Sequence, residues 1–156
     1  MEIRKELQEG GYVRETGKKR VKQAKLPPMR FESTDGYPIY VGRNNRQNDE
    51  LTFKLARKDD LWLHASKVHG SHVIISCGGT TPPDDTITQA AQLAAYYAES
   101  AGGQNLPVDV TPVKQVKKTP GGKPGMVIYH TYRTVIANPY PDIVVDALNA
   151  EKKMDN

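Results

Sequence analysis

The chain has 156 residues, 22 Lys+Arg against 18 Asp+Glu, a formal net charge of +4 and 37 % hydrophobic residues, with a pI near 9.1 and a mean hydropathy of −0.64. A chain of this length buries a core of its own without disulfides or metals, and no stretch holds the ~20 apolar residues of a membrane helix. The first residues lack the apolar run of a secretory signal, and the single Cys77 cannot close an intrachain disulfide. The expectation is therefore a soluble, cytoplasmic, weakly basic domain.

The positive charge is unevenly placed. Residues 1–30 hold nine Lys/Arg and four Glu, a net +5, whereas the other 126 residues hold 13 Lys/Arg and 14 Asp/Glu, a net −1. The leader, residues 1–28, carries Ile3 and Leu7 one helical turn apart, then Lys18-Lys19-Arg20-Val21-Lys22 before Pro27-Pro28. It reads either as a solvated segment or as a basic arm that lies on phosphates and whose affinity falls with salt.

Met29–Ser33 and Tyr37–Val41 read as strands joined through Asp35-Gly36, a strong hairpin signal. Gly42 to Asp49 is a polar turn whose Asn48 or Asp49 is expected to cap a helix bearing Leu51 and Leu55. Asp60–Ala65 and Ser71–Cys77 are strand candidates. Thr86–Ser100 is the clearest helix, with Thr86 and Gln89 at capping-box spacing and a stripe of Ile87, Ala90, Ala91, Ala94 and Ala98. Val108–Val116, Met126–His130 and Thr134–Ala137 are further strands, and a Gly/Pro loop over residues 117–125 separates the first two. Residues 141–156 read as a tail. The pattern predicts an α+β domain over residues 29–140: a mainly antiparallel sheet with one long and one or two short helices packed on it.

Alternation along Asp60-Leu61-Trp62-Leu63-His64 sends Leu61, Leu63 and Ala65 to one face and Asp60, Trp62 and His64 to the other. That second face has two readings. Its indole stacks on a base while its imidazole bonds a phosphate or base edge, or Trp62 covers a second layer of core and His64 bonds a backbone carbonyl. Metal and catalytic readings are weaker. The spacing of His64, His69, His72 and Cys77 matches no common zinc site, and no nucleophile elbow, P-loop or paired-carboxylate motif is present. Asp60 and His64 as acid and base lack a positioned reactive group. Basic residues gather at Arg43, Arg46, Arg57 and Lys58 and again at Lys114, Lys117, Lys118 and Lys123, either as ordinary surface charge or as a phosphate-binding rim.

The run Ser33-Thr34-Asp35-Gly36-Tyr37…Val41-Gly42-Arg43-Asn44-Asn45-Arg46-Gln47-Asn48-Asp49 resembles the opening of the NFACT-R domain. Asp60-Leu61-Trp62-Leu63-His64, Gly70-Ser71-His72-Val73-Ile74, Val108-Asp109 and Lys123-Pro124-Gly125 continue the resemblance in order. It departs at His69, where the family usually has proline, and after Pro139. The resemblance implies that the chain is the C-terminal part of a larger protein, its leader the junction to an upstream coiled coil. The family is related to the eukaryotic nuclear export mediator factor.

The resemblance also implies a non-catalytic, RNA-binding part of a ribosome-associated quality control factor. Such factors bind large ribosomal subunits obstructed by peptidyl-tRNA, recruit alanyl-tRNA and support alanine tailing, so the implied partners are tRNA and rRNA, with no cofactor and no membrane. Carried onto this sequence, the family signatures fall on Asp60, Trp62 and His64 and on Gly42 and Asn44. With the charged residues, the expected RNA contacts are Asp60, Trp62, His64, Arg43, Asn44, Asn45, Arg46, His72, Lys117, Lys118, Lys123, Lys18, Lys19 and Arg20. Two alternatives stay open. Bacterial members are often labelled fibronectin- or fibrinogen-binding, which implies a cell-surface adhesin, and Asp60 with His64 leaves room for an enzyme acting on nucleic acid.

Overall fold

A computed structural model describes residues 26–98 and 105–139. Its main sheet has six strands in the order β1 (Met29–Glu32), β2 (Pro38–Val41), β4 (Val73–Ile75), β3 (Leu61–Ala65), β5 (Leu106–Pro112) and β8 (Arg133–Ala137), and every neighbouring pair is antiparallel. A ribbon of β6 (Lys117–Lys118) and β7 (Val127–Ile128) forms a second small sheet. Helix α1 (Asn45–Glu50) runs into a π-helical turn over Leu51–Leu55, and α2 (Asp84–Tyr96) is the long helix. The α+β architecture read from the sequence is thus the one observed.

The sheet is covered on both faces. Leu63, Val73, Ile75, Val108 and Val110 meet the Ile87-Ala90-Ala91-Ala94 side of α2 in the larger core. Small side chains on that stripe let the helix lie close to the strands. On the other face Trp62 and Ile74 pack with Leu51 of the π-helical turn and with Val113 and Val116, which border the 3₁₀ turn Val113–Gln115.

Three local expectations are corrected. Helix α1 is capped by Asn44, whose side chain accepts from the Gln47 N–H at 2.8 Å. The Gln47 side chain accepts in turn from the Arg43 N–H, one residue before the cap, at 2.7 Å, so neither Asn48 nor Asp49 supplies the cap. Helix α2 begins at Asp84, ahead of Thr86. Thr86 and Gln89 instead fix the β1–β2 hairpin: the Thr86 hydroxyl lies 2.8 Å from Ser33 Oγ, and Gln89 bonds both the backbone N–H and the hydroxyl of Thr34. Finally, the strand expected over residues 108–116 ends at Pro112, where the 3₁₀ turn takes over.

Candidate nucleic-acid interface

Alternation along β3 holds, but its second face is closed. Trp62 is 0 % exposed and Asp60 3 %, so the expectation of an open stacking platform is corrected. The π-helical turn, the 3₁₀ turn and Tyr129 cover the indole. The energetics favour this arrangement: burying ~200 Å² of indole is worth about 5 kcal/mol. Among the described residues its Nε1–H has no hydrogen-bond partner, which costs about 1–3 kcal/mol and does not reverse the balance.

Around Trp62 lies a layer of rings. His64 stacks on it with centroids 5.6 Å apart and planes 6° from parallel, and His72 and Tyr129 meet it edge-on at 5.3 and 4.8 Å. His64 Nδ1 lies 2.7 Å from the Ala65 carbonyl and therefore carries the proton. Burial pulls the His64 pKa below its usual value, against the raising effect of the Ala65 and Gly70 backbone. In register with His64 across the sheet is Asp109, which accepts from the Tyr129 hydroxyl at 2.6 Å and from Thr134 Oγ1 at 2.9 Å. Burial first, and then this bond to Asp109, push the Tyr129 pKa up, which keeps the phenol neutral.

Asp60 is a backbone clamp. Its Oδ1 accepts from the N–H groups of Cys77 and Gly78 at 3.0 and 2.8 Å, and its Oδ2 accepts from the Arg57 N–H at 2.9 Å. This ties the start of β3 to the turn after β4. His72, also 0 % exposed, is another such tie. Its Nε2 donates to the Gly125 carbonyl at 3.1 Å, and its Nδ1 accepts from the Thr52 hydroxyl at 2.8 Å. Burial, reinforced by nearby His64, lowers its pKa to about 3. The roles expected of Asp60, Trp62 and His72 as surface contacts are therefore corrected to buried, structural ones, and His64 is a partly buried member of the ring layer.

These ties position an exposed polar face. Gly42 must lack a side chain, because a Cβ there would lie 1.9 Å from Asn48 Oδ1. That amide oxygen accepts from the His72 N–H at 3.1 Å, so the turn before α1 is pressed onto β4. Gly125 sits at φ +86, and a Cβ there would lie 3.1 Å from Asn45 Oδ1. Its N–H donates to Asp49 Oδ1 at 3.2 Å, while Lys118 Nζ pairs with Asp49 Oδ2 at 3.3 Å. The Gly/Pro loop is thereby seated against α1.

As a result Asn44, Asn45, Arg46, Lys123 and Pro124 line one open cleft, although Asn44 and Lys123 are 79 positions apart in the sequence. Arg43 lines a neighbouring polar cleft with Asn44, Asn45 and His69. Lys117 and Lys118 are exposed on the ribbon that begins the loop. Arg43 Nε and Gln47 Nε2 hold the carbonyls of Pro27 and Leu26 at 2.7 and 2.9 Å, so the chain enters the domain beside this face. Lys18, Lys19 and Arg20 lie outside the described residues. The structural roles of Gln47, Asn48, Thr52 and Asp109 were missed from sequence; only the Asn44-x-x-Gln47 spacing carried a usable signal, that of a capping box.

The sheet is covered on both faces and the cationic turn and loop lie side by side; across both, residues 28–131 match the family described as "NFACT protein RNA binding domain". The chain belongs to this family. It is 43 % identical over 147 residues to the Rqc2 homolog RqcH of Bacillus subtilis (strain 168), covering 92 % of this chain and 25 % of that protein. The Rqc2 homolog RqcH of Streptococcus pneumoniae serotype 2 is 44 % identical over 138 residues, covering 88 % of this chain and 25 % of that protein. The chain thus spans about a quarter of the length of these curated relatives. The structure of the C-terminal of the fibronectin/fibrinogen-binding protein from Streptococcus suis superposes with a TM-score of 0.77 at 39 % identity, covering 87 % of this chain and 54 % of that one.

Proposed function

We propose that this chain is the non-catalytic RNA-binding module of a ribosome-associated quality control factor, and that it helps such a factor engage obstructed large ribosomal subunits and tRNA in the cytoplasm. The observation that carries this reading is that Asn44, Asn45 and Arg46, at the start of α1, share an open cleft with Lys123 of the Gly/Pro loop, while Arg43 lines the adjoining cleft with the same two asparagines. Guanidinium and ammonium groups supply phosphate contacts, and the two amides supply donors and acceptors for sugar or base edges. Lys117 and Lys118 extend the positive surface along the ribbon. The basic leader, with Lys18, Lys19 and Arg20, joins the domain at residues held by Arg43 and Gln47, which favours its acting on the same RNA.

The non-catalytic reading is supported by the engagement of both candidate acid–base groups. Asp60 is committed to three backbone N–H groups and His64 to a backbone carbonyl and the indole face. The membership in an RNA-binding family and the similarity to RqcH proteins favour RNA and the ribosome as partners. The fibronectin/fibrinogen-binding label belongs to the Streptococcus suis protein, and a polar, cationic face suits a polyanion better. Cells producing the full-length parent protein, fractionated on a sucrose gradient, test the reading: co-migration with large subunits and tRNA is expected. Surface labelling of intact cells, with no ribosomal co-migration, would instead support adhesion.

A further inference from the structure

A second positively charged site lies on the flank of the domain, and no residue motif pointed to it as a unit. The π-helical turn and the 3₁₀ turn enclose a cavity of about 310 Å³, at the lower end of ligand-sized clefts. Its floor is Phe53, Ala56, Val113 and Val116, and its rim carries Lys58, Lys114, Lys117 and Lys118. All four lysines are exposed and Phe53 is half-buried.

The rim is held by the backbone. The Lys114 N–H donates to the Lys58 carbonyl at 3.0 Å, and the Val113 N–H donates to the Asp60 carbonyl at 2.9 Å. Phe53 follows Thr52, which is buried on His72, so the ring is set by the same tie that seats the Gly/Pro loop. Lys118 Nζ lies over the Phe53 ring, 5.4 Å from its centroid. One face of the ring is therefore within reach of a solvent-exposed group, and a second flat partner can approach it along the same path.

We propose that this cup binds an unstacked nucleotide of single-stranded RNA, the base lying on Phe53 and the flanking phosphates on Lys58, Lys114 and Lys117. The proposal rests on the RNA-binding reading and adds to it a strand preference. An aromatic floor offers nothing to a base that is already paired and stacked in a duplex, whereas an exposed base gains from it. The lysines draw in either form, because they see only phosphate. Lys118 moves from the ring to a phosphate when the base arrives, exchanging its pairing with Asp49, while the Gly125 N–H bond to Asp49 still seats the loop.

The test uses the full chain, an unstructured 12-nucleotide RNA and the same RNA annealed to its complement. Phe53→Leu keeps an apolar side chain against the second core and removes the stacking surface. It should weaken single-strand binding about tenfold and duplex binding less than twofold. Phe53→Trp should retain single-strand affinity and add an emission that the single strand quenches; native emission comes only from buried Trp62 and should change little.

Equal effects of Phe53→Leu on both RNAs, or none, together with unquenched Phe53→Trp emission, would overturn the cup while leaving RNA binding by the α1 face intact. No binding of either RNA by the native chain would overturn both readings. Should Phe53→Leu fail to fold, the quenching measurement alone decides. Equal displacement of both RNAs by heparin, with no ring dependence, would mark the cup as a plain anion rim and count against the proposal.

Discussion

The Nε2–H of His72 donates to the carbonyl of Gly125, 53 positions later, across 3.1 Å. This bond joins the central sheet to the Gly/Pro loop and so fixes Lys123 relative to the α1 turn. The bond needs a proton on Nε2, because Gly125 offers only an acceptor there, and it is the neutral ring that leaves Nδ1 to accept from the Thr52 hydroxyl. Burial supplies that state by lowering the pKa to about 3.

Acid should therefore destabilise the domain through His72. The unfolded imidazole takes up a proton below its ordinary value of 6.5, whereas the folded one stays neutral until about 3. Between those values the unfolded state binds more protons, so stability rises with pH across that window and is lost as pH falls. From pH 7 to 4.5 the loss from this group is about 2–3 kcal/mol, and His64, shifted in the same direction, adds to it. Urea denaturation across this range should show the slope, and His72→Gln should flatten it while lowering stability at pH 7. An unchanged slope in the variant would remove His72 as its source.

Trp62→Ala should act on stability. Emptying a site that is 0 % exposed and surrounded by His64, His72 and Tyr129 costs about 3–5 kcal/mol. At temperatures where the variant remains folded, its RNA affinity and salt dependence should match those of the native chain. Selective loss of binding without loss of stability would return Trp62 to the contact surface.

Gly42→Ala should cost about 1–3 kcal/mol by overpacking, because its Cβ would collide with Asn48 Oδ1. The effect should be non-additive with Asn48→Ala, which removes the colliding group along with the bond to the His72 N–H. Thermal unfolding of the two single variants and the double variant measures the coupling. Additive losses would mean that Gly42 matters for some other reason.

Much of the domain could be read from its residues. Period-two alternation put Leu63 and Trp62 on opposite faces, and the alanine stripe marked the side of α2 that meets the sheet. What alternation does not report is whether a face is open. Trp62 points away from α2 as expected, yet it is covered by segments that reach it only through tertiary packing: the π-helical turn, Val113 and Tyr129. The cap at Asn44 was recoverable from its spacing to Gln47, but the apolar pattern of Leu51 and Leu55 drew the start of the helix too late. Thr86 and Gln89 have the spacing of a capping box, but their long-range bonds to Ser33 and Thr34 outcompeted local capping. The cationic face was readable as two charged groups; their juxtaposition depends on His72, Gly125 and Asp49, which no local pattern connects.

In the proposed function RNA binds the face built by the turn before α1, α1 and the Gly/Pro loop, with the Trp62 layer as its support. The most direct measurement is the salt dependence of tRNA binding, by fluorescence anisotropy, for the full native chain, the triple variant Arg43→Ala/Arg46→Ala/Lys123→Ala, and Trp62→Phe. The native chain should bind at low salt, and the triple variant should bind more weakly with a log–log salt slope shallower by about 2–3, as expected for three lost phosphate contacts. Trp62→Phe should keep the native slope and affinity. A triple variant that binds as the native chain does, or a native chain that binds no RNA at low salt, would contradict the claim.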